Sequence, residues 1–223
     1  MEPTHIASRF DRDVARIERL LQKMAGLVGA QLAAAREALE WGDGERAREI
    51  ARRDREINRL EVRIDELSLR LIALRQPMAE DLRRAVSTLK VSNNLERIGD
   101  YAKIMALRVA ALSGEAPAEP ALRTIGQMTG LVVEMLDQAM RAYLGRDAAL
   151  AESTRLRDAD VDRLNNALFR DMLSGMLSDA GRIEAGIHLL FISKNLERAG
   201  DRIGNITEQA TFLITGEIFE NRD

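Results

Sequence analysis

A polar heptapeptide occurs twice in this chain. Asn94-Leu95-Glu96-Arg97-Ile98-Gly99-Asp100 returns, with one substitution, as Asn195-Leu196-Glu197-Arg198-Ala199-Gly200-Asp201. A second stretch repeats as well: Arg53-Asp54-Arg55-Glu56-Ile57-Asn58-Arg59-Leu60 aligns with Arg157-Asp158-Ala159-Asp160-Val161-Asp162-Arg163-Leu164. Two matched segments per half make the chain an internal duplication, which limits the fold to two copies of one unit.

Helical periodicity says what the unit is. Val14, Ile17, Leu21, Met24, Val28, Leu32, Ala35 and Leu39 share one face of a helix from about 10 to 41, and Gly42-Asp43-Gly44 stops it. Ile50, Ile57, Leu60, Ile64, Leu67, Leu71 and Leu74 mark a second helix, ended by Gln76-Pro77. A third runs from about 79 to 112. Beyond a Pro- and Ser/Gly-containing linker the scheme restarts, with a helix stopping at Gly145, another over about 147–177 and a last one to about Gly216. The expected fold is all-α: two tandem three-helix bundles, six long helices in all, related by pseudo-twofold symmetry. Residues 1–113 form the first repeat, 114–120 a linker, 121–216 the second repeat and 217–223 a C-terminal tail.

Composition then narrows the function. A net charge of −3 with only four lysines argues against a nucleic-acid binder. No cysteine is present, which removes disulfides, iron–sulfur clusters and thiolate zinc. No window approaches the ~20 apolar residues of a membrane span and the N-terminus lacks the regions of a signal peptide, so the expected location is the cytoplasm, with the membrane reached only through partners. Trp41, beside a glycine turn, is expected to cap the core, and His188 to be a core or boundary residue.

The acids are where chemistry can reside. On the third helix Glu96 and Asp100 interrupt an apolar line (Leu82, Val86, Leu89, Asn93, Ile104, Leu107), while Val91, Leu95, Ile98, Ala102, Met105 and Val109 are expected to face the bundle core. Glu197 and Asp201 repeat this on the sixth helix. Asp54, Asn58, Glu61 and Asp65 form a ridge on the second helix, and Asp158, Asp162 and Asn165 on the fifth. Two carboxylates ~5 Å apart repel by roughly 3 kcal/mol at an effective dielectric of ~20, so a half-buried cluster needs a cation or raised pKa values. Oxygen-only ligands suit hard ions such as Mg²⁺, Mn²⁺ or iron. A solvated face paired to arginines is the competing reading. Gly99 and Gly200, between the acids, make room for either a ligand or a packed helix.

Leu74-Arg75-Gln76-Pro77-Met78-Ala79-Glu80-Asp81-Leu82-Arg83 followed by the first heptapeptide resembles the PhoU family of phosphate-transport accessory regulators, as do the second heptapeptide and Asn205-Ile206-Thr207-Glu208. The resemblance implies two three-helix bundles that bind metal through a Glu/Asp-x-x-x-Asp motif, and a non-enzymatic negative regulator of phosphate uptake and of the phosphate-starvation response. It implies as partners the ATPase of the phosphate ABC transporter and the phosphate sensor histidine kinase, with a homodimer expected besides. Glu96, Asp100, Glu197 and Asp201 then occupy motif positions, and Asp54, Asn58, Asp158 and Asp162 the companion positions; with Glu61 of the ridge they are the expected ligands of a di- or trivalent ion (Mg, Mn, Fe or Zn). Asn58 stands where the motif has an acid, which takes a charge from the first site, and Arg202 follows Asp201, where it can crowd or neutralise the second.

Two other classes compete: a purely structural or scaffolding bundle, and a di-iron carboxylate oxidase. The oxidase draws on two Glu-x-x-His pairs. Ala185, not a Glu, stands three residues before His188, so this two-histidine chain cannot supply both. No glycine-rich phosphate loop or Ser/His/Asp set is present either.

Overall fold

The computed structural model describes residues 3–112 and 119–217, with side chains from residue 9 onward. The helices are α1 (Pro3–Trp41), α2 (Gly44–Arg75), α3 (Ala79–Ala111), α4 (Glu119–Gly145), α5 (Ala148–Leu156), α6 (Asp158–Ser178) and α7 (Ile183–Thr215). They form six rods, because α5 and α6 are one helix broken at Arg157. The expected linker is shorter than its composition implies: α4 already includes Glu119 and Pro120, since proline is tolerated in a first helical turn. Position 113 of the first repeat, 114–118 of that linker and 218–223 of the expected tail lie outside the described residues. Among the described residues no helix is long and apolar enough to cross a membrane.

The duplication extends to local detail. Asp43 caps α2 by accepting from the Arg46 N–H, and Asp147 caps α5 by accepting from the Leu150 N–H, each at 2.9 Å. Ser92 Oγ lies 3.9 Å from Met24 Sδ on α1, and Ser193 Oγ 3.5 Å from Met128 Sδ on α4. The Asn94 and Asn195 amides each donate to the carbonyl four residues back, at 2.9 and 2.7 Å.

The two bundles share one core. α3 packs along α7 and α1 along α4, and the buried side chains of both halves form one cluster. The α3 stripe from Val91 to Val109 is buried throughout, as is the α1 face from Val14 to Leu39. Across the seam Thr88 on α3 meets Tyr143 on α4 at 3.2 Å, Asn205 donates to Asn94 at 3.5 Å, and the Arg108 guanidinium lies 4.2 Å from the Phe191 ring centre.

Three expectations need correction. Trp41 is 70% exposed and lies under the Arg46 guanidinium, not on the core. Leu74 is exposed in the last turn of α2, ahead of the left-handed Gln76 that caps it. The expected fifth helix breaks at Arg157: the Thr154 hydroxyl donates back to Leu150 O at 2.7 Å, and Arg157 N–H bonds Thr154 O three residues back. The Arg157 side chain is drawn across to Glu134 and Gln138 of α4.

Candidate functional site: two acidic clusters

Each half brings the second and third rods of its bundle together over a repeated pairing of glycine and carboxylate. An added Cβ on Gly99 would meet Ile57 Cδ1 at 3.0 Å and Asp54 Oδ1 at 3.7 Å. On Gly200 it would meet Asp158 Oδ1 at 2.5 Å. The glycines therefore make room for a packed helix, and the group lying nearest or next to each is the acid of the neighbouring rod.

In the first cluster Asp54 is 2% exposed, yet charged partners surround it. Its Oδ2 pairs with Lys103 Nζ at 2.9 Å, and the same ammonium stands 3.5 Å from Asp100 Oδ1. Burial pushes the Glu96 carboxyl up to about 7, helped by repulsion from Asp100, Glu61 and Asp54 and opposed by Arg97. Burial likewise raises Glu61, with Asp65 and Asp100 adding to it and a hydrogen bond with Asn93 opposing it. Asp65 is raised by burial alone. Asn58 is half-buried beside them.

In the second cluster burial pushes Asp158 up to about 6, with Asp201, Asp162 and Glu197 repelling it. Asp201 is raised by burial, then by Glu197 and Asp162, against Lys194 and Arg202. Glu197 is held at Oε1 by Lys194 at 2.6 Å. Asn165 accepts the Ser193 hydroxyl at 2.5 Å. From Asp158 and Asp201 a groove of about 580 Å³ opens along α7, passing Tyr101, Arg155, Arg202 and Glu208.

The acids of adjacent helices thus act on one another electrostatically in both halves. The charge missing at Asn58 is offset by Glu61, whose equivalent in the other half is the neutral Asn165. With Asp65, which repels Glu61, the first cluster holds five acids, and the second holds four. Arg202 lines the groove beside Asp201 and moderates that acid's pKa. What the sequence reading missed is Lys103, which its position three residues after Asp100 signals. His188 is half-buried and belongs to neither cluster.

Fitness for a cation can be judged from unsatisfied oxygens. Asp54 Oδ1 and Asn58 Oδ1 in one half, and Asp158 Oδ1 and Glu197 Oε2 in the other, are buried without a hydrogen-bond partner. Such atoms are costly unless something compensates them. Among the described residues no three Asp, Glu or His side chains already stand in the geometry of a metal centre. The oxygens fit a hard cation by donor type.

A family model described as the PhoU domain matches residues 21–109 and 125–210. The phosphate-specific transport system accessory protein PhoU homolog of Zymomonas mobilis is 40% identical over 220 residues, 98% of this chain and 92% of the relative. The homolog of Caulobacter vibrioides is 38% identical, covering 96% and 93%. Among solved structures, the phosphate transport system regulatory protein PhoU from Streptococcus pneumoniae superposes with a TM-score of 0.87 at 31% identity, over 95% of this chain and 99% of that one. PhoU from Pseudomonas aeruginosa gives 0.89 at 33% identity, over 93% and 100%.

Proposed function

Because this chain belongs to the PhoU family, we propose that it is a non-enzymatic accessory regulator of phosphate transport. Its task is to restrain phosphate uptake and the phosphate-starvation response by docking on the ATPase of the phosphate ABC transporter and on the phosphate sensor histidine kinase. The observation that carries this reading is likeness over nearly the whole chain, in both repeats, to proteins named for that transport system. A cytoplasmic location and a homodimer belong to the same proposal.

Metal is part of it. Asp54, Asn58, Glu61, Glu96 and Asp100 would hold an ion in the first half, and Asp158, Asp162, Glu197 and Asp201 in the second, with the four orphaned oxygens as support. A bound ion would supply positive charge that offsets repulsion between the paired helices. The side chains themselves set the spacing of those helices, through Gly99 against Ile57 and Gly200 against Asp158.

The test is capture of the transporter ATPase and the sensor kinase by the full chain, with and without chelator, and with Glu96→Ala and Glu197→Ala. Binding to at least one partner, weakened by chelator or by the substitutions, is expected. Failure to capture either partner under any condition would remove the docking reading, and capture that ignores chelator would remove metal from it.

A further inference from the structure

We propose that the groove between α1 and α2 is a docking surface for an acidic amphipathic helix of a partner protein, whose carboxylate takes at Arg53 the place that Glu134 takes at Arg157. It gives the docking reading above a surface, and as a statement about those two partners it rests on that reading.

The duplication supplies the comparison. At one constant offset, Gly26-Leu27-Val28 on α1 matches Gly130-Leu131-Val132 on α4, and Arg53-Asp54 on α2 matches Arg157-Asp158. In the second half α4 holds Arg157: the guanidinium donates to Glu134 Oε2 at 2.5 Å and to Gln138 Oε1 at 3.0 Å. At those two places α1 has Ala30 and Ala34. Arg53 therefore lacks both partners of its counterpart. The two alanines instead line a groove of about 530 Å³, with Leu27 and Ile57 also in its wall.

Positive charge is concentrated along that groove. Arg52, Arg55 and Arg59 line it together with Arg53, and none of the four makes an ion pair among the described residues. Glu56, which lines it too, is paired with Lys23 at 2.8 Å, and Arg59 acts on it only through space. The repeated unit folds without this surplus. Arg52 and Arg55 correspond to Leu156 and Ala159, and Arg163, the counterpart of Arg59, is paired with Asp160 at 2.8 Å. Guanidiniums left without an anion are matched by carboxylates, the group the second half itself uses at Arg157. Small apolar side chains between two adjacent helices suit the apolar face of a third.

The experiment has two arms, both with the full chain and with circular dichroism to establish folding. In the first, the probe is a fluorescein-labelled peptide of roughly 18 residues, with leucines at helical spacing flanked by glutamates, and anisotropy reads its binding. The same peptide with glutamines for glutamates is the control. The glutamate peptide is expected to bind and the control not. Arg53→Gln should weaken binding about tenfold, and Arg163→Gln in the second half should leave it unchanged. Ala30→Glu, at an exposed position, supplies from within the acid that the second half has, and should abolish binding with the fold intact. Binding that persists in both Arg53→Gln and Ala30→Glu, or no binding at all, would overturn the inference. So would displacement by inorganic phosphate as effective as that by unlabelled peptide at the same concentration, which marks a small-anion site. In the second arm, the transporter ATPase and the sensor kinase are captured by the unsubstituted chain and by Ala30→Glu, and Ala30→Glu is expected to lose at least one of them. Capture of both undiminished by Ala30→Glu would overturn the inference and leave the docking reading standing. Capture of neither by the unsubstituted chain would overturn the docking reading, and the groove would then be decided by the peptide.

Discussion

Gly200 and Asp158 touch so closely that a methyl group on the glycine would stand 2.5 Å from the Oδ1 of the aspartate. At Gly99 the corresponding obstacle is apolar, Ile57 Cδ1 at 3.0 Å and Cγ2 at 3.2 Å. The two glycines thus guard different things, and alanine at each has a different consequence. Alanine is preferred to glycine inside a helix by ~1 kcal/mol. At Gly200 the carboxylate can swing away, so that gain is kept in part and stability changes by less than about 1 kcal/mol, while the second cluster loses its geometry. At Gly99 overpacking of a buried branched side chain costs about 1–3 kcal/mol, and Gly99→Ala is net destabilising, with partial recovery in Gly99→Ala combined with Ile57→Val. Urea denaturation separates the two cases. Gly130, with nothing within 4 Å of an added Cβ, is the control, and Gly130→Ala should stabilise by about 0.5–1 kcal/mol.

The acids give the metal-free protein a pH dependence opposite to that of ordinary salt-bridged carboxylates. Glu96 is raised to about 7 and Asp158 to about 6, both chiefly by burial. Between the usual carboxylate range and those values the folded chain holds protons that the unfolded chain has released. Raising the pH through that window therefore favours unfolding. The melting temperature of chelator-stripped protein is expected to fall as pH rises from about 5 to 7.5. Glu96→Gln should flatten that fall. A bound cation should reverse it, since binding needs the deprotonated acids and becomes tighter over the same range.

How much of this could be read from the chain depends on whether a residue's role is fixed by periodicity or by its neighbours across a gap. The helical faces were legible because burial follows the 3.6-residue period: Leu95, Ile98 and Met105 are all enclosed, as their spacing requires. The repeat itself announced the second bundle. The break at Arg157 was not legible, because no glycine or proline marks it and its cause is an arginine drawn toward Glu134 on another helix. Lys103 could be placed beside Asp100 from their three-residue spacing, but its reach to Asp54, 49 residues away, could not be read. The offset of Asn58 by Glu61 was open to reading, but only after the companion helices were aligned residue by residue.

Trp41 shows the limit of composition as a guide. An aromatic side chain next to a turn is usually core, yet this one is 70% exposed, with the Arg46 guanidinium 5.3 Å from its ring. Trp41→Ala is therefore expected to cost no more than about 0.5–1 kcal/mol. As the sole tryptophan, it should fluoresce as a water-exposed indole in the folded state, with little red shift on unfolding. A strongly blue-shifted native spectrum would show that this end of α1 is covered in solution.

The seam between the repeats offers a test of whether the halves are stabilised by each other. Tyr143 on α4 is 3% exposed and its hydroxyl lies 3.2 Å from Thr88 Oγ1 on α3. Thr88 Oγ1 already donates to Arg84 O at 2.9 Å, so in this pair the tyrosine is the donor. The two partners are then unequal in what their loss leaves behind. Tyr143→Phe removes one donor and leaves Thr88 satisfied, at a cost of about 1 kcal/mol. Thr88→Val strands a buried phenol hydroxyl and should cost about 1–3 kcal/mol, the full desolvation of that group. Combining the two removes the stranded group, so the double variant should be less destabilised than the sum of the singles. Equilibrium urea unfolding at fixed protein concentration measures all three. Strict additivity would mean that the phenol finds water instead of Thr88, and that the repeats meet less tightly here than the 3.2 Å contact requires.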